Sequence, residues 1–293
     1  MRKNKIIIFC LTIVVLIGCD NVSYTYEASI DYEAPNWTSD GKVVFIKDSN
    51  YVKIAHGAMG AEQWNVEGSK EVLTLCEINS DGTGFTEKGE VLRSEDYAYA
   101  LDVTGLSSSG NWVTFGIEDR HIYVSDRDGT NAEEVGQGTN PDFSPDASQI
   151  VYEKSDEGIW IMDRDGGNDH RIISDADANS PAWSSDGIRV AYIKDSLFVS
   201  DISGSLISTY GITRISTPNW GPLDTNAISL SYDTPGSGAN IVIVYMSSGI
   251  IDTTDIISGN GAYWSPEGGK FIGYDGSLFI INRNGSNKWY LQP

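Results

Sequence analysis

Hydrophobic positions along this chain come in short bursts, apart from one apolar run near the start. Ile188 to Ile193 and Ser196 to Asp201 show the habit. Each is a few residues long, rich in Val, Ile, Tyr and Phe, and closed by Asp, Ser or Gly. Bursts of that length and composition predict β-strands, and the Asp-Gly and Ser-Asp-Gly clusters between them predict tight turns. No segment sustains a 3.6-residue period, so helices should be scarce.

The bursts repeat as a phrase. SPAWSSDGIRVAY (180–192) returns as APNWTSDGKVVF (34–45), NPDFSPDASQIVY (140–152) and GAYWSPEGGKFIGY (261–274), with looser copies at 217–232 and 105–115. Aligned on Trp37, Leu106, Phe143, Trp183, Trp220 and Trp264, the copies are spaced 69, 37, 40, 37 and 44 residues apart. Spacings near 40 suit a four-stranded blade. Within each unit a strand enters through Pro and an aromatic residue, and a turn of the SSDG type leads to a second strand. A third strand follows, as in HIYVSDRDG (121–129) or GIWIMDRDG (158–166), and then a weaker fourth such as Arg171-Ile172-Ile173. One blade cannot bury both faces of its sheet, but neighbours in a ring can. The recurring aromatic residues are therefore expected to seal the joints between blades.

The pattern Pro-x-(Trp/Phe)-Ser-Pro-Asp-Gly, then an apolar strand, then Ile-Tyr-Val-x-Asp-x-Asp-Gly, resembles the WD40-like repeat of TolB-type β-propellers. Six copies cover nearly all of 31–293. The resemblance implies an all-β, six-bladed propeller of four-stranded antiparallel blades. The TolB protein also carries an α/β domain before its propeller, for which this chain has no room.

The first 18 residues stand outside this scheme. Arg2, Lys3 and Lys5 precede the apolar run Ile6 to Ile17, which is short for a membrane span but suits a secretory signal. Leu16-Ile17-Gly18-Cys19 resembles a bacterial lipobox, which implies cleavage before Cys19 and lipidation of its thiol. Residues 1–18 are then a signal peptide, 19–30 a lipidated cysteine and tether, and 31–293 the propeller, lipid-anchored in a bacterial cell envelope. Cys10 leaves with the signal, so Cys76 remains alone, without an internal disulfide to form. The chain of 293 residues carries a formal charge of −21; without the three signal cations, 17 Lys+Arg stand against 41 Asp+Glu. So acidic a surface excludes nucleic acid and anionic lipid as favoured partners.

If the strands are named a to d from the axis outward, the tight a–b and c–d turns share one face. The b–c and d–a connections share the other, where the irregular segments gather: 48–70, 94–102, 174–180 and 233–240. Loops on a rigid scaffold carry binding residues. The binding candidates are therefore His56, Trp64, Glu95, Asp96, Tyr97, Asp175, Asp177 and Asn179. The function expected is a non-enzymatic scaffold for an envelope protein, peptide or glycan, acting as a monomer. The alternative is a carbohydrate-active hydrolase or lyase using Glu95, Asp96, Asp175 and Asp177 at the channel mouth, which would need two facing carboxylates. No HExxH, CxxC, P-loop or GxSxG occurs, and the three histidines are dispersed. No cofactor is expected. The DxDG turns resemble fragments of calcium loops and leave calcium open, although the closing Glu of a full loop is missing and hairpin turns explain them.

Overall fold

The computed structural model describes residues 10–11, 23–56, 65–94, 101–118, 120–234, 238–246, 251–254, 260–275 and 277–292. All of its regular structure is β, in six four-stranded antiparallel sheets, each built from consecutive strands. A two-residue strand, β1 (Cys10–Leu11), pairs with the outer part of β2. Blade one is β2 (Ser23–Trp37), β3 (Lys42–His56), β4 (Asn65–Asn79) and β5 (Thr86–Ser94). Blade two is β6 (Val103–Ser109), β7 (Trp112–Ile117), β8 (His121–Asp126) and β9 (Glu133–Gln137). Blade three is β10 (Thr139–Phe143), β11 (Gln149–Lys154), β12 (Gly158–Asp163) and β13 (His170–Ile173). Blade four is β14 (Asn179–Trp183), β15 (Arg189–Ile193), β16 (Leu197–Asp201) and β17 (Leu206–Tyr210). Blade five is β18 (Ile215–Trp220), β19 (Ala227–Thr234), β20 (Gly238–Tyr245) and β21 (Ile251–Thr254). Blade six is β22 (Asn260–Trp264), β23 (Lys270–Tyr274), β24 (Leu278–Asn282) and β25 (Trp289–Tyr290).

The inner strands β2, β6, β10, β14, β18 and β22 touch in that order, and β22 returns to β2. Blade six is completed by β25 from its own sequence, while Tyr24 to Ile30 pairs with β3 in blade one. The ring is therefore closed by side chains rather than by a shared strand.

The hydrophobic core is divided among the joints. The described residues form six apolar clusters, and each draws on two neighbouring blades. Period-two alternation does the dividing. Val151 of β11 faces blade four, while its neighbours Ile150 and Tyr152 face blade two. The six aligned positions Trp37, Leu106, Phe143, Trp183, Trp220 and Trp264 are all buried, each in the joint with the preceding blade. A hydrogen bond stitches every joint near the axis. Asn36 Nδ2 donates to Leu106 O (2.8 Å), Phe143 N to Ser107 Oγ (3.1 Å) and Trp183 N to Asp142 Oδ2 (2.7 Å). Trp220 Nε1 donates to Ala182 O (3.1 Å), Ser229 Oγ to Ala262 O (2.7 Å) and Trp37 Nε1 to Tyr263 O (3.0 Å).

The repeated turns serve the same joints. In the a–b turn of blade four, Asp186 Oδ1 accepts from Ser184 Oγ and Ile188 N, and Ser184 Oγ accepts from Arg189 N. The c–d turn of blade two lies against the outer strand of blade one. Its Gly129 has φ +79°, and a Cβ there would sit 2.7 Å from the backbone nitrogen of Gly89. Gly166 and Gly204 make the same approach to Val135 and Ile172 of their preceding blades. Both the left-handed backbone and the close approach require glycine. Gly129→Ala is expected to cost about 3 kcal/mol from strain and overpacking together. A urea titration against the parent checks it, and a loss under about 1 kcal/mol would show that the turn is free to move.

Blade one departs from the repeat as the 69-residue spacing foretold, but in a different form. The sequence of 48–70 suggests an irregular insertion. Its described parts continue β3 and β4 as paired strands, with Asn50 opposite Glu71 and Ile54 opposite Val66. Residues 23–30, the described part of the expected 19–30 tether, run alongside as the outer part of β2, with Ser29 opposite Asn50. Alternating β-rich sequence on three adjacent segments satisfies more backbone groups as a sheet than as a loop. A β-sheet arm thus extends blade one on the b–c/d–a face.

Where blades one and two meet on the opposite face, the buried carboxylate of Glu77 accepts from Lys42 Nζ (2.6 Å) and Arg127 Nη2 (2.7 Å), with Lys88 at 3.5 Å. Burial alone would raise this carboxyl, but the hydrogen bonds from Lys42 and Arg127 outweigh it and hold it below the usual range. Among the described residues no helix is long and apolar enough to cross a membrane.

Candidate functional site

A channel runs down the axis, and all six inner strands line it. Its wall includes Asn36, Thr104, Asn140, Asp142, Thr217 and Tyr263, and its free volume is about 50 Å³. That is room for a few waters or the tip of one side chain. The lining positions are spread along these strands, from Thr104 and Asn140 near their starts to Asn36, Asn219 and Tyr263 near their ends.

A recurring backbone irregularity shapes this wall. Ala34, Asn140, Ser180 and Thr217 occupy the same place in four blades, each just before a proline, and have φ of +47° to +52°. Each coincides with a one-residue bulge against the second strand, as between Thr139 and Asp142. A non-glycine residue held there costs on the order of 1–3 kcal/mol. The bulge bends the inner strand and re-aims the next side chains. The position before the aromatic residue, Asn36, Asp142, Asn219 or Tyr263, is thereby turned to the axis. Some of the exposed polar groups are satisfied from the second strand: Glu153 Oε2 accepts from Asn140 Nδ2 and from Ser180 N, both at 2.9 Å.

Asp142 is the only carboxylate among the described lining residues. It is half-buried and faces the channel. Burial drives its pKa up to about 6, against the pull of hydrogen bonds from Ser107 and from the Trp183 and Phe143 backbone N–H groups. Across the channel Tyr263 is pushed up to about 12, by burial first and then by the negative charge of Asp142. The site thus offers one enclosed acceptor, one phenol and a ring of amides and hydroxyls.

The residues proposed from sequence fare differently. Trp64, Glu95, Asp96 and Tyr97 lie outside the described residues, as does Cys19. His56 is the last residue of β3, in the arm, opposite Ser23. Asp175 and Asp177 lie in the d–a connection before blade four, and Asn179 opens β14. There Asp175 Oδ2 binds Lys194 Nζ (2.6 Å), Asp175 Oδ1 accepts from Asp177 N, and Asn179 Nδ2 donates to Asp177 O. The Lys194 hydrogen bond holds Asp175 below the usual carboxylate range, whereas a general acid needs the opposite shift. None of the three lines the cavity. The facing carboxylates required by the enzymatic alternative are thus not assembled by Asp175 and Asp177.

Sequence reasoning missed Asp142, Tyr263 and the left-handed ring. The available signal was the phrase before the aligned aromatic residue, whose middle position changes from Asn to Asp to Ala after a proline and is Tyr after Ala262 in blade six. The DxDG carboxylates serve their own turns: Asp128 Oδ1 accepts from Thr130 N and Oγ1, and Asp165 Oδ1 from Gly167 N. Among the described residues no three His, Cys, Asp or Glu side chains are grouped to hold a metal ion. Cys76 is buried, and burial pushes its thiol up to about 12, far from a reactive value.

The backbone of this ring matches solved structures. TolB from Acinetobacter baumannii superposes with a TM-score of 0.59 at 15% identity, covering 92% of this chain and 79% of its own. A structure assigned as TolB from Agrobacterium tumefaciens gives 0.60 at 18% identity, covering 75% and 88%. The fold is the TolB-type six-bladed β-propeller. No family model matches the chain. Among curated proteins, the uncharacterized protein Atu1656 of Agrobacterium fabrum is 25% identical over 240 residues, which are 65% of this chain and 81% of that protein.

Proposed function

We propose that this TolB-type propeller is a binding scaffold of the bacterial cell envelope, held at a membrane through a lipid on Cys19, with a protein as its partner. The partner lies on the b–c/d–a face and sends one side chain into the channel. The observation that carries this reading is Asp142. A buried carboxylate raised to about 6 lowers stability at neutral pH, and groups kept at such a cost concentrate at functional sites. The basic head, apolar run and Gly18-Cys19 junction support the anchor. The small channel and the arm beside it support a protein segment over a bulky sugar chain. An acidic surface steers a cationic or hydrogen-bond-donating segment toward the mouth.

The test is capture from detergent-solubilised envelope by the immobilised full chain. It is compared with Asp142→Asn and with a variant in which 51–70 is replaced by Asn-Gly, a two-residue turn suited to joining Asn50 to Glu71. A partner retained by the parent and lost by both variants is the expected result. The same proteins held equally by all three would refute a partner on this face.

A further inference from the structure

The outermost strands of the blades are where such a ring is open to other chains. A strand with unpaired N–H and C=O groups invites pairing, and charged side chains are the common guard. Here β5 carries Glu87, Lys88, Glu90 and Arg93, β9 carries Glu133 and Glu134, β13 carries Arg171, and β21 carries Asp252. β17, Leu206-Ile207-Ser208-Thr209-Tyr210, carries none; the two-residue β25 carries none either, but Lys288 directly precedes it. The first two residues of β17 are 59% and 52% exposed. At its start the patch widens: Ile202 in the c–d turn is exposed, and its N–H donates to the carbonyl of Ile188, itself 60% exposed. From Ile202 to Leu223 the only charged residue is Arg214, in a chain of net charge −21.

We infer that the outer edge of blade four pairs with the same edge of a second copy of this chain. Charge selects the occupant. Two copies of so acidic a body repel wherever carboxylates face each other, and no carboxylate lies between Ile202 and Leu223. The strand is also its own complement. Run antiparallel about Ser208, Leu206 faces Tyr210 and Ile207 faces Thr209, so large and medium side chains oppose each other twice. Contact between identical edges is isologous and closes at two copies. Gly204, at φ +87°, and Gly211 bracket the strand and keep the shared sheet short. The edge belongs to the rim and leaves the axial channel open, so this pairing stands or falls apart from the proposed partner site. It differs from the monomer expected from sequence, and the experiment decides between them.

Sedimentation velocity of the full chain in a non-ionic detergent, over a hundredfold concentration range, tests it. The parent is expected to shift from one to two copies. L206K and I207K should each raise the dimer Kd about tenfold or more by placing like charges across the edge. L223K changes an equally exposed aliphatic residue on blade five and should leave the Kd unchanged. Thermal melts of each variant confirm that it is folded. A parent that stays single throughout, or a dimer that L206K and I207K leave intact, overturns the inference. So does a dimer that L223K weakens as much as they do.

Discussion

Trp37→Ala is expected to lower the unfolding free energy by about 4–5 kcal/mol, the upper range for truncating a buried aromatic residue. Trp37 lies in the joint where the last blade meets the first, packed with Val43 and Ile78 on one side and Ile272, Ile280 and Leu291 on the other. Its indole N–H also supplies the hydrogen bond to Tyr263 O that stitches this joint. With no strand shared between blades six and one, that joint rests on side chains, so a cavity there attacks ring closure itself. Trp112→Ala is the contrast. Trp112 is half-buried beneath the Arg164 guanidinium at 4.1 Å and occupies no aligned aromatic position; about 1–2 kcal/mol is expected. Urea titrations of both variants decide the matter. Equal losses would mean that the aligned aromatic residues do not seal the ring.

Asp142→Asn should do the reverse and stabilise the protein at neutral pH. The carboxyl is raised from 3.8 to about 6, chiefly by burial. An acid with a raised folded pKa contributes stability that is fully present below its unfolded pKa and is lost as pH rises through the folded one. Below about pH 4 the parent and the variant should therefore be alike. Their difference should grow between about pH 4 and pH 6 and level off above that range. Its ceiling is about 3 kcal/mol, and channel water reduces it. Asparagine keeps an acceptor for the Trp183 N–H and can donate to Ser107 Oγ. Melts of the two proteins at pH 4 and pH 8 supply the reading. A variant less stable at pH 8 would show that the ionised carboxylate is a structural pin, and would remove the reason to see it as kept for binding. A stabilised variant that no longer captures a partner is the signature of a group retained for function.

The legible features of this sequence were those that repeat. Four Pro-x-aromatic phrases, six apolar second strands and the Asx-Gly turns each answer a local demand: a bulge, a half-buried pleat, a left-handed turn at a crowded joint. Blade count, strand order and the role of Trp37, Trp183, Trp220 and Trp264 therefore followed from the repeated phrase, its spacing and its resemblance to TolB-type propellers. The segment 48–70 was legible as an addition but not as a sheet, because the register of β3 against β2 and β4 depends on pairing between distant segments. Asp175 and Asp177 looked like mouth carboxylates because they sit together in a loop; Lys194, on another segment, had already claimed Asp175.

The sequence by itself determined the architecture, since every blade meets the same packing problem with the same residues. The tertiary structure alone decided the character of the channel. Asp142 and Tyr263 are 121 positions apart in the chain, and nothing local marks them as facing each other. Only closing the ring encloses that carboxylate in low-dielectric surroundings and sets its charge against the phenol, and burial of that kind belongs to the assembled ring rather than to any one blade.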